Sequence, residues 1–360
     1  MDAGAFDERK SLDTISAVDL QNKDIPPIRF VVHDLLTVGL TILASPPKYG
    51  KSWMVLDLCL SVASGCRFLG YETNQCGCLY LALEDSQRRL KSRMNKVLAG
   101  RPAPAGFHFA TAADTIDTGL IDELDSFTRN HPNTGLIVID TLQKVRGAAT
   151  GKDAYGSDYR DAGALKAFAD THNVALVLVH HLRKMADDSD PFNRISGTNG
   201  IMGAADTAIV LTKEKRGDNN STLSIVGRDV ESNDTVLRFN AGTCRWENLG
   251  NADWFAGQQA RNEYQCSPIV RTIKKLLEQS PSGWTGTAQQ FRDAGLFITH
   301  KPVADSTKSL ATKLKAMTDL LYEYDGICYE YKKNGTGGGK HSFSCKTHTE
   351  EPEQSEIDRF

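Results

Sequence analysis

Gly39-Leu-Thr-Ile-Leu-Ala-Ser45 is an apolar run that opens into Pro46-Pro-Lys-Tyr-Gly-Lys-Ser52 and then into Trp53-Met-Val-Leu-Asp-Leu-Cys-Leu60. The loop fits the pattern G-x-x-x-x-G-K-[ST], except that Ser45 stands where the first glycine is expected. The order strand, loop, helix is what holding a phosphate requires. Gly50 lets backbone amides close on an anion, and a helix starting near Lys51 aims its unpaired N–H groups at the same point. Lys51 can then neutralise the outer phosphates, and the Ser52 hydroxyl is a hard oxygen ligand for Mg2+. Ser45 adds a Cβ where a glycine would accept unusual dihedral angles. Ser45, Pro46, Pro47, Lys48, Tyr49, Gly50, Lys51, Ser52 and Trp53 are the candidate nucleotide-binding residues.

Working outward, short continuous apolar runs recur at residues 39–44, 77–83, 135–139 and 174–179, with amphipathic helical stretches between them such as 52–65 and 161–172. Such runs suit strands buried on both faces, so the expected fold class is α/β with a mostly parallel sheet. Runs at 207–212 and 222–226, separated by a charged turn, read as a closing hairpin or meander. Two carboxylates fall at strand ends. Asp140 follows the run 136–139, where it can hold Mg2+ through water, and Glu84 follows 79–83, where it can act as general base toward a water. Both would lie at the carboxyl edge of the sheet, the side on which open α/β sheets bind ligands.

The 360 residues are 40% hydrophobic and 24% charged, which excludes wholesale disorder and fibrous repeats. No apolar run is long enough for a membrane span, the first ten residues are acidic rather than basic, and the eight scattered cysteines form no zinc pattern, so the expectation is a soluble cytoplasmic protein. The net charge of −3 is unevenly spread: residues 261–348 carry +5 and the tail 349–360 carries −4. The expected organisation is a flexible arm at 1–27, an ATPase domain at 28–240 and a linker at 241–266. A winged-helix domain follows at 267–348, and a disordered acidic tail at 349–360. Three helical stretches, 268–278, 287–294 and 306–321, followed by two strands, 327–333 and 341–345, give the winged-helix order. Lys332, Lys333 and Lys340 flank its glycine-rich wing tip and are candidate duplex contacts, although the same layout also serves protein docking.

The phosphate loop, Glu84, Asp140 and then His180-His181-Leu-Arg-Lys184 together resemble the RecA-type ATPases. The phrases PPKYGKSWMVLDLCLSVASGCRFLG, LYLALEDSQRRLKSRM, VIDTLQKV, VHHLRK and RISGTNGIMGAADTAIVL are similar, in order and spacing, to the RepA-like hexameric replicative DNA helicases of plasmids, phages and mobile elements. That resemblance covers roughly residues 28–240. It implies a RecA-like P-loop core that uses ATP and Mg2+, with Glu84 as catalytic base, Asp140 linked to the metal, and a histidine of the pair His180 and His181 sensing the γ-phosphate.

In RecA-type rings the segments corresponding to 143–160 and 182–200 face a central channel, which makes Lys144, Arg146, Lys152, Arg183, Lys184 and Arg194 candidate contacts to single-stranded DNA. Tyr155, Tyr159 and Phe192 are candidate base-stacking residues there. A trans arginine from a neighbouring subunit completes each site in such rings. Arg228 is the first choice, with Lys213, Lys215 and Arg216 as alternatives. The expected function is an ATP-dependent DNA translocase or helicase working as a homo-oligomeric, hexameric ring. The alternative is a nucleotide-switched DNA-binding adaptor or recombination mediator.

Overall fold

The computed structural model describes residues 14–147, 154–182, 190–195, 199–213, 219–333 and 338–345. The chain forms two compact units, Met1–Asn251 and Ala252–Phe360. The first holds α1 (Ala17–Asn22), β1 (Phe30–Val32), β2 (Leu36–Thr37), β3 (Gly39–Ser45), α2 (Lys51–Ser64), β4 (Gly77–Ala82), α3 (Gln87–Leu98), β5 (Phe107–Ala110) and α4 (Leu120–Asn130). It continues through β6 (Thr134–Asp140), α5 (Leu142–Val145), α6 (Ala154–His172), β7 (Ala175–His181), α7 (Asn199–Ala204), β8 (Thr207–Thr212), β9 (Asn220–Gly227), β10 (Asn233–Asn240) and β11 (Arg245–Asn251).

Nine strands form one sheet in the order β11-β10-β9-β8-β3-β7-β6-β4-β5. The six from β8 to β5 run parallel, and β9, β10 and β11 extend the sheet as an antiparallel meander. The unbroken apolar runs follow from burial on both faces. Along β3, Leu40, Ile42 and Ala44 enter one core while Leu43 enters the other. Along β7, Leu176 and Leu178 alternate in the same way with Val177 and Val179. At about 1.5–3 kcal/mol for each fully buried aliphatic side chain, these central strands are the most firmly held part of the unit.

Residues 241–251, expected as part of a linker, instead supply β11, the edge strand of this sheet. Its side-chain pattern is weak because Trp246 is its one buried residue; its backbone ladder to β10 makes it a strand. It also braces α2. Arg245 Nε lies 3.3 Å from the buried Asp57 carboxylate, and Asn248 Nδ2 donates to the Leu69 carbonyl at 3.1 Å. Burial raises the pKa of Asp57, and Arg245 opposes that shift. The described part of the expected N-terminal arm contains α1, with no buried residue; residues 1–13 lie outside the described residues.

The second unit comprises α8 (Ala252–Cys266), α9 (Pro268–Gln279), β12 (Trp284–Thr287), α10 (Ala288–Thr299), α11 (Thr307–Ala316), α12 (Thr318–Asp325), β13 (Ile327–Lys333) and β14 (Gly339–Cys345). The rest of the expected linker is therefore the helix α8, anchored by buried Tyr264. The stretch expected as one helix at 306–321 divides at Met317 into α11 and α12, and β12 is a strand the sequence did not announce. Ile269, Ile273 and Leu277 of α9 pack with Phe291, Leu310, Leu314 and Phe343 around a separate core. The three strands lie in the order β12-β14-β13. The glycine-rich turn at 334–337 and the tail from 346 are outside the described residues. Among the described residues no helix is long and apolar enough to cross a membrane.

Arg245→Ala strands the Asp57 carboxylate in the core. We expect a loss of about 2–3 kcal/mol in urea unfolding. This is less than for a fully buried pair, because Arg245 keeps 28% of its side chain exposed.

Candidate nucleotide-binding site

Parallel pairing brings the decisive residues level. Ser45 of β3 pairs with His181 of β7, Val179 of β7 with Asp140 of β6, and Asp140 with Ala82 of β4. The carboxyl ends of four strands therefore open onto one cleft of about 480 Å3, lined among others by Lys51, Ser52, Glu84, Asp140, Thr141 and His181.

Ser45 is the last residue of β3 and is fully buried in extended backbone, so the missing glycine costs the loop nothing there. The left-handed turns fall later, at Lys48 (φ 67°) and Gly50 (φ 88°). Gly50 caps α2 without any side-chain bond, which leaves the first amides of that helix to meet an anion. A Cβ on Gly50 would stand 3.0 Å from the Trp246 ring, whose Nε1 donates to the Gly50 carbonyl at 3.4 Å. A strand from the far edge of the sheet thus supports the loop.

Lys51 Nζ donates to the Ser45 carbonyl at 2.7 Å and meets His181 Nδ1 at 3.0 Å. Burial lowers the lysine to about 8, against the opposing pull of Asp140 and Glu84. Burial, then the Lys51 charge, lowers His181 as well. His180, one residue before it, is buried and does not line the cleft, so of the two histidines only His181 reaches it. Asp140 is buried, which raises its pKa; hydrogen bonds from Tyr80 (2.8 Å) and Ser52 (3.1 Å) to its Oδ2 oppose that rise. Glu84 Oε1 accepts from Thr141 Oγ1 at 3.3 Å.

The donor set fits Mg2+. A hydroxyl and a carboxylate 3.1 Å apart are the hard oxygens this ion takes from a protein, the remainder coming from water and phosphates. Among the described residues no group of three or more His, Cys, Asp or Glu side chains could hold a metal ion.

Several lining residues escaped the sequence reading. Asp85 pairs with Arg89 (3.0 Å) and Arg93 (2.5 Å) of α3 at the cleft wall, and Arg93 also lies 5.3 Å over the Trp53 ring. The i,i+4 spacing of Asp85 and Arg89 was the available signal. On the other side of the loop a second hollow of about 320 Å3 is lined by Pro47, Lys48, Tyr49, Gly50, Trp53, Lys213, Phe239 and Trp246. Trp246 was missed because the segment beyond 240 read as a linker, and Phe239 because the sequence reading placed no strand at 233–240.

The remaining candidates lie elsewhere. Arg228 follows β9 at the opposite edge of the sheet: Gly227 pairs with Thr207 at the start of β8, and Asp206, 3.6 Å from Arg228, accepts a bond from Leu40 N at the start of β3. The length of β3, roughly 20 Å, separates Arg228 from the loop of its own chain. Its partner is Asp206 rather than the neighbouring acids Asp229 or Glu231. Lys144 is exposed on α5, and Arg194 is half-buried in a turn of 3-10 helix. Arg146 is half-buried and engaged with Asp158 in an ion pair. Phe192 packs partly against the core, whereas Tyr159 is exposed. Lys332 and Lys340 pair across β13 and β14, and Lys332, Lys333 and Lys340 are all exposed. Lys152, Arg183, Lys184, Lys215 and Arg216 lie outside the described residues, as does the Tyr155 side chain.

The lowered Lys51 sets a pH dependence. Bound phosphates favour its charged form, so above about pH 8 binding must also take up a proton. Nucleotide affinity should hold between about pH 6 and 7.5 and then fall, by up to about tenfold per pH unit, in titrations of the free protein.

A protein-family profile described as the AAA domain matches residues 7–187. None of the curated proteins matches the sequence. Among solved structures, one described as an ATPase domain is 16% identical, covering 59% of this chain and 84% of its own, with a TM-score of 0.48. The structure of a DnaB-like replicative helicase and its interactions with primase is 14% identical, covering 64% of this chain and 66% of that one, with a TM-score of 0.50. At 14% identity this second likeness is one of fold. The profile spans half of the 360 residues and contains the loop, Glu84 and Asp140, and the chain belongs to the AAA domain family of P-loop ATPases.

Proposed function

We propose that this protein is an ATP-dependent DNA translocase or helicase that works as a homo-oligomeric, hexameric ring on single-stranded DNA, in the replication of a plasmid, phage or mobile element. One observation carries the reading: Lys51, Ser52, Glu84, Asp140 and His181 converge on a single cleft at the carboxyl edge of the sheet. An adaptor that only binds nucleotide has no need of a glutamate beside a buried aspartate.

In this reading Lys51 leaves the Ser45 carbonyl and His181 to neutralise the outer phosphates, and the amides at the start of α2 hold the rest. Mg2+, when bound, offsets charge on the phosphates, with Ser52 and Asp140 as its protein side. Glu84, steadied by the Thr141 hydroxyl, takes the proton of the attacking water. His181 loses its lysine partner when phosphate arrives, which makes it the element that reports nucleotide state to residues 182–200. The aromatic hollow beside the loop suits a stacked base. Arg228, exposed and remote from its own loop, serves the site of a neighbour. Lys144, Arg146 and Arg194, with Lys152, Arg183 and Lys184, follow the strand's phosphates in the channel. The second unit is read as a winged helix, with Lys332, Lys333 and Lys340 as candidate duplex contacts.

The deciding experiment measures ATP hydrolysis with and without single-stranded DNA on protein imaged for rings. Stimulated turnover by rings is expected, and ATP that changes only duplex affinity in protein that never forms rings would favour the adaptor. Lys51→Ala should abolish nucleotide binding, while Glu84→Gln should keep binding and lose turnover by about a hundredfold or more. Normal hydrolysis by Glu84→Gln would remove Glu84 from the role of base.

The ring reading makes a separate prediction. Mixing Arg228→Ala protein with Lys51→Ala protein should restore part of the ATPase activity, because some mixed interfaces pair an intact loop with an intact arginine. No recovery in rings shown to mix would transfer the role to Lys213, Lys215 or Arg216, or to an arginine acting in cis.

A further inference from the structure

We propose that Tyr80 is a positioning residue of the nucleotide site: its hydroxyl fixes which oxygen of Asp140 is committed to the protein and which is presented to the metal-bound nucleotide. This rests on the reading of the cleft as a Mg2+–ATP site.

Tyr80 sits in the middle of β4 and is 1% exposed, among the largest fully buried side chains of the protein. Its ring packs 5.9 Å from that of Phe109 in an apolar core. Packing there asks only for the ring. A buried hydroxyl costs free energy unless it finds a partner, and a phenylalanine would fill the same space without that cost. The partner it finds is Asp140 Oδ2, at 2.8 Å. That same oxygen accepts from Ser52 Oγ at 3.1 Å.

Two hydroxyls from different elements, β4 and α2, thus converge on one oxygen of the carboxylate, and Oδ1 is left outside both bonds. The arrangement stops the carboxylate from rotating. It also lets Ser52 keep its proton on Asp140 while a lone pair of its own oxygen turns to a cation. Tyr80 touches neither nucleotide nor metal in this scheme; it acts through Asp140.

The test compares Tyr80→Phe with the unaltered full-length chain in titrations of a fluorescent ADP analogue, in Mg2+ and in EDTA. We expect the Mg2+-dependent gain in affinity to shrink by about five- to tenfold while affinity in EDTA stays the same, the net size of one hydrogen bond. In an Asp140→Asn background, Tyr80→Phe should change the Mg2+ dependence no further. An unchanged Mg2+-dependent gain in Tyr80→Phe would overturn the proposal. So would an equal loss in Mg2+ and EDTA, which is what a purely structural role produces. If the unaltered protein binds the analogue no better with Mg2+ than with EDTA, the reading of the cleft itself fails, and this proposal with it.

Discussion

The in-register parallel pairing of β3, β7, β6 and β4 is the constraint on which the rest of the site depends. Side chains separated by up to 130 residues in the chain become neighbours because their strands end at one level. A slip of one residue in any of these pairings would turn Asp140 or His181 to the other face of the sheet. The two apolar cores that clamp the sheet therefore do more than stabilise it, since they fix the register in which a cation, a hydroxyl and two carboxylates meet.

Electrostatics at the cleft is a balance of buried opposites. Lys51 loses hydration and gains a carbonyl and an imidazole, while Asp140 loses hydration and gains two hydroxyls. The hydrogen bonds of each lead to neutral groups, which leaves both able to respond to an incoming polyanion and its cation. A tight Lys51–Asp140 pair would have to be broken first, leaving two desolvated charges without their partners.

Much of this arrangement is legible in the sequence because it is local. The loop 45–52, Glu84 and Asp140 each follow an apolar run whose direction and end can be read from a few residues. What was illegible depends on partners distant in the chain. Tyr80 reads as one more core aromatic until β6 is laid beside β4. Arg146 reads as a free cation until Asp158 appears beside it on α6. The stretch Arg245-Trp-Glu-Asn-Leu-Gly-Asn251 carries too few apolar residues to announce a strand, and only the β10 ladder makes it one. Single residues also misled in the other direction: the serine at 45 marks a departure from the loop pattern, yet the backbone there is ordinary and the left-handed turns lie at 48 and 50.

The hydrogen bond from the Trp246 indole to the Gly50 carbonyl joins residues 196 positions apart. During synthesis the loop emerges early and its brace late, with nearly the whole sheet made in between. The loop therefore gains this brace only after β11 has docked, among the last steps as the sheet is made. A chain released before that strand is complete carries every residue of the phosphate loop and still lacks the floor beneath it.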